Sequence, residues 1–294
     1  MKVAVLGSLR SWYLADLSRA AAGRHEIVPA TFRELAAWVG GESRQRSGTL
    51  DLQACDAVLV RTMPPGSLEQ VVFRMDVLGR LEAAGMAVLN PPRAVEAAVD
   101  KYLALARMEA AGLAVPRTVV CQSAATALEA FAAFGGDVVL KPLFGSEGRG
   151  VARLTDDAIA ERTFRLYERL GAVLYVQQYI PHPQGDWRLL VIGQRVLGMR
   201  RHNPDDWRSN ASRGARCEPL EVTPELAALA CRAAEAVGAP LAGVDVLPAP
   251  DGTCYAIEVN AVPGWQALAR TLKVDVARWV LELLELRRAT GSWS

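Results

Sequence analysis

Short apolar runs alternate along this chain with stretches whose apolar residues recur at helical spacing, which predicts strands alternating with helices. Lys2 to Gly7 reads as a buried strand, Leu14 to Ala22 as a helix and His25 to Ala30 as a second strand. A Gly/Ser/Arg-rich loop around Gly40 to Gly48 precedes a third strand, Ala57 to Val60. Leu68 to Ala84 predicts a helix and Ala87 to Leu89 a short strand, so this region is expected to hold a parallel α/β sheet. Asn90-Pro91-Pro92 breaks the pattern and bounds an N-terminal domain at 1–91.

A second region, 92–180, opens with a helix over Asp100 to Ala111, closed by Gly112. Strand Arg117 to Cys121 and helix Ala124 to Phe134, with Ser123 as its cap, follow. Then come a strand ending in Val139-Leu140-Lys141, the loop Phe144 to Gly150, strand Val151 to Leu154, helix Asp157 to Leu170 and strand Val173 to Ile180. The last region, 181–294, predicts strands Trp187 to Ile192 and Arg195 to Met199 joined at Gly193-Gln194. A polar, arginine-rich stretch, Arg200 to Arg216, leads to helix Pro224 to Val237, and a final helix runs from Val274 to Arg288.

Between those helices, Leu241 to Gly264 holds two apolar, β-rich runs around Asp251-Gly252, a strong hairpin signal. With these two as central turn residues, Val246 pairs with Ile257 and Asp245 with Glu258. Glu258 and Asn260 share a face because side chains alternate. Two carboxylates and an amide then converge on a mostly buried strand pair, a costly arrangement unless a cation joins them. Oxygen-only ligation suits Mg²⁺, with Mn²⁺ also possible. A solvent-facing polar strip is the plainer reading; the apolar neighbours Val244, Val246, Ile257 and Val259 weigh against it.

Composition narrows the function classes. The chain has 294 residues and is 51% hydrophobic, which predicts packed cores. Its 33 basic and 32 acidic residues leave a net charge of +1, so neither nonspecific nucleic-acid binding nor membrane binding is expected. Five scattered cysteines without a CxxC pair suggest reduced core residues, and the N-terminus turns polar too early for a secretory signal; a cytoplasmic protein is expected. GxGxxG, GxSxG, HExxH and P-loop motifs are absent, and no histidine shows ligand spacing.

Several groups remain as candidates. Gly145, Gly148 and Gly150, with Ser146, lie in a loop where backbone N–H groups can approach phosphate, or they form an ordinary turn. Lys141 ends the preceding strand. Lys101 begins a helix, where a cation opposes the dipole, and reads equally as a surface lysine or a ligand contact. Arg188, Arg200, Arg201, Arg208, Arg213 and Arg216 form the densest basic cluster, whose forks match carboxylates and phosphates.

Together these pieces resemble the ATP-grasp superfamily, specifically the RimK-like α-L-glutamate ligases. The resemblance rests on Asp100-Lys101, the run Lys141 to Val151, Gln178-Tyr179-Ile180, Gly185 to Arg188, Arg208-Ser209-Asn210, Gly243 to Asp245 and Glu258 to Asn260, covering Pro91 to Trp265. It implies an α/β (α+β overall) ATP-grasp fold, with a Rossmann-like pre-grasp domain followed by two α+β subdomains that clasp ATP. It implies that Lys101 and Lys141 hold phosphates under the glycine loop, that Gln178, Tyr179 and Ile180 line the adenine hinge, and that Asp186 holds the ribose. Arg208, Ser209 and Asn210 would face the phosphates, Arg188 and Arg208 the oxyanion, and Arg188, Arg201, Arg208 and Arg213 the organic substrates. Asp245, Glu258 and Asn260 would bind two Mg²⁺. Arg61, at the end of the third strand, is expected to close the acceptor pocket. The implied reaction joins an amino acid, L-glutamate in the family, to a carboxylate acceptor such as a protein tail, an amino-acid carrier protein or a pterin; the wording around Lys141 leans toward the pterin branch. A homo-oligomer, dimer or tetramer, is expected. A glutathione-synthetase-type ligase and a non-catalytic ATP sensor are the alternatives.

Overall fold

The structure is a computed structural model that describes residues 1–41, 44–145, 149–208 and 214–293. The N-terminal part contains β1 (Lys2–Leu6), α1 (Trp12–Ala21), β2 (Glu26–Ala30), β3 (Leu35–Trp38), β4 (Arg44–Ser47), β5 (Leu50–Asp51), β6 (Ala57–Val60), α2 (Leu68–Ala83), β7 (Ala87–Leu89) and α3 (Pro92–Val99). The expected parallel sheet is present in the order β2-β1-β6-β7. Its strands are apolar on both faces because both are covered. Val3, Val5, Ala57 and Leu59 pack toward α1, whereas Ala4, Leu6, Val58 and Val60 pack toward α2. The segment read as a loop instead forms a small antiparallel sheet, β3-β4-β5. The boundary at Pro91-Pro92 is also a helix start, with proline in the first turn of α3.

The middle part contains α4 (Lys101–Ala110), β8 (Thr118–Cys121), α5 (Ala124–Ala133), β9 (Val138–Lys141), β10 (Ala152–Leu154), α6 (Asp157–Arg169) and β11 (Leu174–Gln178). Side-chain caps fix its helix starts: Asp100 accepts from Tyr102 and Leu103 N–H, Ser123 from Thr126 and Asp156 from Ile159. Its antiparallel sheet runs β10-β9-β11-β8. One face, with Val138, Leu140, Leu174 and Val176, packs under α5 and α6; Val139, Lys141, Tyr175 and Gln177 alternate to the other.

The last part contains β12 (Asp186–Ile192), β13 (Arg195–His202), β14 (Arg216–Leu220), α7 (Pro224–Val237), β15 (Leu241–Pro248), β16 (Cys254–Asn260), α8 (Gln266–Leu272) and α9 (Val276–Thr290). Both ends of the arginine-rich stretch are therefore strand, with Arg200 and Arg201 inside β13 and Arg216 opening β14. The sheet order is β14-β13-β12-β15-β16. One face, with Leu189, Val191, Ala242, Val244, Val246, Ala256 and Val259, shares a core with α3, α4 and α7. The opposite face is divided. Leu190, Ile192 and Leu241 pack with residues of α8 and α9, while the other end carries Asp186, Arg188, Asp245 and Glu258.

Asn90 joins the first sheet to the last. Its amide donates to Leu241 O and Ala261 O, and its oxygen accepts from Leu241 N–H at 3.0 Å. It is 1% exposed, so Asn90→Ala leaves buried backbone groups without partners. The expected loss is about 3 kcal/mol in urea unfolding; a loss below about 1 kcal/mol would show that these groups find other partners.

Candidate active site

A cleft separates the open face of the β9/β11 sheet from the polar end of the β12/β15/β16 sheet. Val139, Lys141, Gln177, Gln178, Tyr179 and Ile180 line it from one side, and Asp186, Asp245, Leu247, Ile257 and Glu258 from the other. Lys101, Gly145, Arg149 and Val151 close one end, and His182, Trp207 and Arg208 border it.

The lower wall depends on an irregularity in the hairpin. Asp245 pairs with Glu258 as expected, but Val246 pairs with Ala256 rather than Ile257. The turn spans 249–253, an odd loop, and a bulge at Ile257 restores the register. The bulge puts Ile257 beside Glu258 on the cleft side while Ala256 and Val259 remain in the core. Leu247 and Ile257 thus face Val139 and Val151 across an apolar slot. The sequence placed Ile257 in the core and did not single out Leu247, Val139 or Arg149.

The metal candidates occupy one strand end with different engagements. Asp245 is 5% exposed, and its Oδ1 accepts from Arg201 Nη2 and forms an ion pair with Arg188 Nε, each at 2.8 Å. Its Oδ2 has no partner among the described residues. Glu258 is half-buried, with neither ion pair nor hydrogen bond among the described residues. Asn260 turns its Oδ1 to accept from Val262 N–H at 2.8 Å. No group of three or more His, Cys, Asp or Glu side chains is placed to hold a metal among the described residues. The donor set still fits a hard cation: a carboxylate without a partner stands beside a carboxylate with one free oxygen.

Beneath these oxygens is a buried ion network. Arg201, 3% exposed, grips Asp186 with two parallel bonds, Nε–Oδ1 at 2.7 Å and Nη2–Oδ2 at 2.8 Å, and reaches Asp245 with the same Nη2. Burial opposes the Arg201 charge, but Asp245 and Asp186 outweigh it and hold the guanidinium above its ordinary range. Burial pushes the Asp186 carboxyl up, against the pull of Arg201. One expectation changes here. Arg201 faces the carboxylates below the cleft rather than an organic substrate, while Asp186 accepts from Arg201 through both oxygens and also lines the cleft. Arg188 lies across Gly243, where a Cβ would collide with its Nη1. Arg208 borders the cleft, held by Asp206 at 2.7 Å and near Val151 O at 3.4 Å.

Lys141 reaches into the cleft from above. Its Nζ donates to Gln177 Oε1 at 2.6 Å, and Gln177 in turn donates to Thr118 Oγ1 at 2.8 Å. Burial brings the ammonium down to about 8, a drop that Glu258 moderates and Lys101 adds to. Lys101 Nζ donates to Gly145 O at 2.7 Å, tying the first turn of α4 to the glycine loop. Ser146, Gly148, Ser209, Asn210 and Arg213 lie outside the described residues. At the hinge, Gln178 N–H donates to Arg117 O and Tyr179 N–H to Asp137 O, so these two donors serve the subdomain itself. His182 bridges Ile180 O at 2.6 Å and Trp207 O at 2.9 Å.

The Lys141 value gives a signed prediction. Its pKa in the fold, about 8, lies below the ordinary 10.5, so between those values the folded lysine is neutral while the unfolded one is charged. An anion bound at Nζ favours the charged form. ADP binding at pH 9 should therefore take up about one proton, and at pH 7 almost none. Calorimetry in buffers of different ionisation enthalpy measures this. Lys141→Arg should bind without uptake; equal uptake by that variant would assign the proton to another group.

Two sheets facing each other across a polar-floored cleft, with a glycine loop at one end, define a nucleotide-clasping fold. The RimK-like ATP-grasp domain family matches residues 98–284, and the chain belongs to that family. It is 33% identical over 270 residues to the tetrahydromethanopterin:α-L-glutamate ligase of Methanosarcina acetivorans, covering 82% of this chain and 83% of that protein. The crystal structure of a RimK-domain ATP-grasp protein from Sphaerobacter thermophilus is similar at a TM-score of 0.72 and 27% identity, covering 96% of this chain and 98% of that one. The ATP-grasp ligase PsnB, complexed with minimal precursor, Mg and ADP, shares the fold at a TM-score of 0.75 and 23% identity, covering 98% of each chain.

Proposed function

We propose that this protein is an ATP- and Mg²⁺-dependent carboxylate–amine ligase that adds L-glutamate to a pterin-type carboxylate acceptor. The observation that carries the reaction class is the Glu258 carboxylate, without a hydrogen-bond or ion-pair partner among the described residues, beside Asp245 in the cleft that Lys141 enters from the opposite sheet. The similarity to a tetrahydromethanopterin:α-L-glutamate ligase extends over 82% of the chain and supports the choice of substrates.

The nucleotide lies between the sheets in this reading. Val139, Val151, Leu247 and Ile257 enclose the purine, and Ile180 offers its backbone at the hinge. Lys101, Lys141 and the loop around Gly145 hold the phosphates. Asp245 Oδ2 and Glu258, with the Asn260 amide at the strand's end, would hold Mg²⁺, which supplies charge neutralisation at the phosphates. A carboxylate is a poor electrophile, and transfer of the γ-phosphoryl group to the acceptor makes it an acyl phosphate with phosphate as leaving group. The amine attacks that carbonyl and phosphate leaves. Arg188 and Arg208 stabilise the oxygen charge as it develops. Asp186 and Arg201 act below the site by fixing Asp245. No protein nucleophile is required.

ADP release measured with L-glutamate against tetrahydromethanopterin, a RimK-type peptide tail and an amino-acid carrier protein tests the proposal. Turnover that requires both glutamate and the pterin is expected. Turnover with another amine or acceptor would correct the substrate, and ADP formation independent of any amine would remove the ligase reading.

A further inference from the structure

Lys141 is one of a row of polar side chains on the roof of the cleft. It pairs across the sheet with Tyr175, and the next residue of β11 on that face is Gln177, so Gln177 is its diagonal neighbour. Gln177 in turn lies directly opposite Thr118 of β8. Side chains alternate faces along each strand, so Lys141, Tyr175, Gln177 and Thr118 share the face opposite α5 and α6. Gln177 is 2% exposed and Tyr175 1%.

The hydrogen bonds along this row leave each group one role. The Thr118 hydroxyl donates to Pro116 O at 2.9 Å, which leaves its oxygen to accept from Gln177 Nε2 at 2.8 Å. Nε2 also donates to the Tyr175 hydroxyl at 3.3 Å. Gln177 Oε1 is then the atom that meets Lys141 Nζ, at 2.6 Å. An ammonium only donates, so the reverse amide orientation would set N–H against N–H at Lys141. It would also need the Thr118 hydroxyl to turn away from Pro116 O. The hydroxyl therefore fixes the amide, and the amide fixes the ammonium. One of the three Lys141 donors is used in this way among the described residues, and two remain for a ligand in the cleft.

We propose that Gln177 and Thr118 are positioning residues for the nucleotide, which hold the Lys141 ammonium in place before a phosphate arrives. A lysine side chain is long and flexible, and ordering it in advance removes part of the entropy cost of binding. The anchor is a neutral amide, so it orients the ammonium without neutralising it. The carboxylates whose charge acts on Lys141, Glu258 and Asp245, lie on the opposite wall. The inference rests on reading the cleft as a nucleotide site, but not on ligation.

Calorimetric titration of ADP with Mg²⁺ tests this through a double-mutant cycle. Thr118→Val removes the acceptor of Gln177 Nε2 and keeps a branched side chain that suits a strand. It should weaken ADP binding about fivefold or more, whereas Thr118→Ser should stay within about twofold of wild type. The KM values for both organic substrates should change by less than about twofold in Thr118→Val. In a Lys141→Met background, titrated to higher ADP concentration, Thr118→Val should change the affinity by less than about twofold, because no ammonium is left to orient. Gln177→Leu should reproduce both results, and where it folds poorly the Thr118 variants decide alone. A loss of the same size with and without Lys141 would make the row structural and overturn the proposal, as would wild-type ADP affinity in Thr118→Val. If the coupling appears but ADP release needs no amine, the positioning role stands and the ligase reading falls. If turnover requires an amine and the coupling is absent, the ligase reading stands and the positioning role falls.

Discussion

Glu258→Gln will retain the fold and lose turnover by about 10²–10³-fold. The side chain keeps its volume, and no hydrogen bond or ion pair among the described residues is broken. What it loses is the one cleft carboxylate that has no arginine contact among the described residues, since Asp245 already serves Arg188 and Arg201 through Oδ1. A cation that Glu258 would help hold there would supply charge neutralisation at the phosphates, a contribution of several kcal/mol to the transition state. About 3–4 kcal/mol corresponds to the expected loss. A second readout is local. Glu258 is the group that most opposes the drop at Lys141, so Glu258→Gln should lower the Lys141 pKa further and increase proton uptake on ADP binding at pH 8. Wild-type turnover in the variant would remove Glu258 from the metal face; a matching fall in melting temperature would make its role structural instead.

Much of this was legible in the sequence for reasons that can be separated. The parallel sheet showed because both faces of β1 and β6 are buried and their runs are continuously apolar. Its companion, β3-β4-β5, did not show because Arg44-Gln45-Arg46 carries no apolar alternation; Gln45 is buried within a polar strand. The proline pair at 91–92 reads as a break, yet proline in a first helical turn costs no hydrogen bond, and α3 begins there. The Asp245–Glu258 pair was found by a count that assumed a two-residue turn and an unbroken ladder. Both assumptions fail, and they cancel: the odd loop displaces the register by one and the bulge at Ile257 returns it. Pattern alone cannot place a bulge, so the apolar slot that Ile257 and Leu247 provide was hidden. Arginines read as surface or ligand groups by default, which concealed the burial of Arg201 and Arg61. That burial is a property of the assembled elements, since the partners of Arg201 lie on β12 and β15 and those of Arg61 lie on α1 and after β16.

The network under the cleft gives the largest expected effect on stability. Arg201→Met should lower unfolding free energy by about 3–5 kcal/mol, the usual result of removing one partner from a buried ion pair. Asp186 loses both of its bonds, and Asp245 keeps only Arg188. The pH dependence distinguishes this from a packing defect. Arg201 pulls the Asp186 carboxyl down against burial, so without it the folded pKa rises further above the ordinary 3.8. A carboxyl raised in the fold binds protons more tightly there than in the unfolded chain, so the variant gains stability as pH falls through that raised value. The gap between wild type and Arg201→Met should therefore be widest at pH 8 and narrower at pH 5 in urea unfolding. Asp186→Leu combined with Arg201→Met removes the uncompensated carboxylate as well and should recover part of the loss, a coupling that a double-mutant cycle measures directly. Equal gaps at both pH values, together with additive single substitutions, would mean that Arg201 contributes packing rather than charge, and that Asp245 is oriented by Arg188 alone.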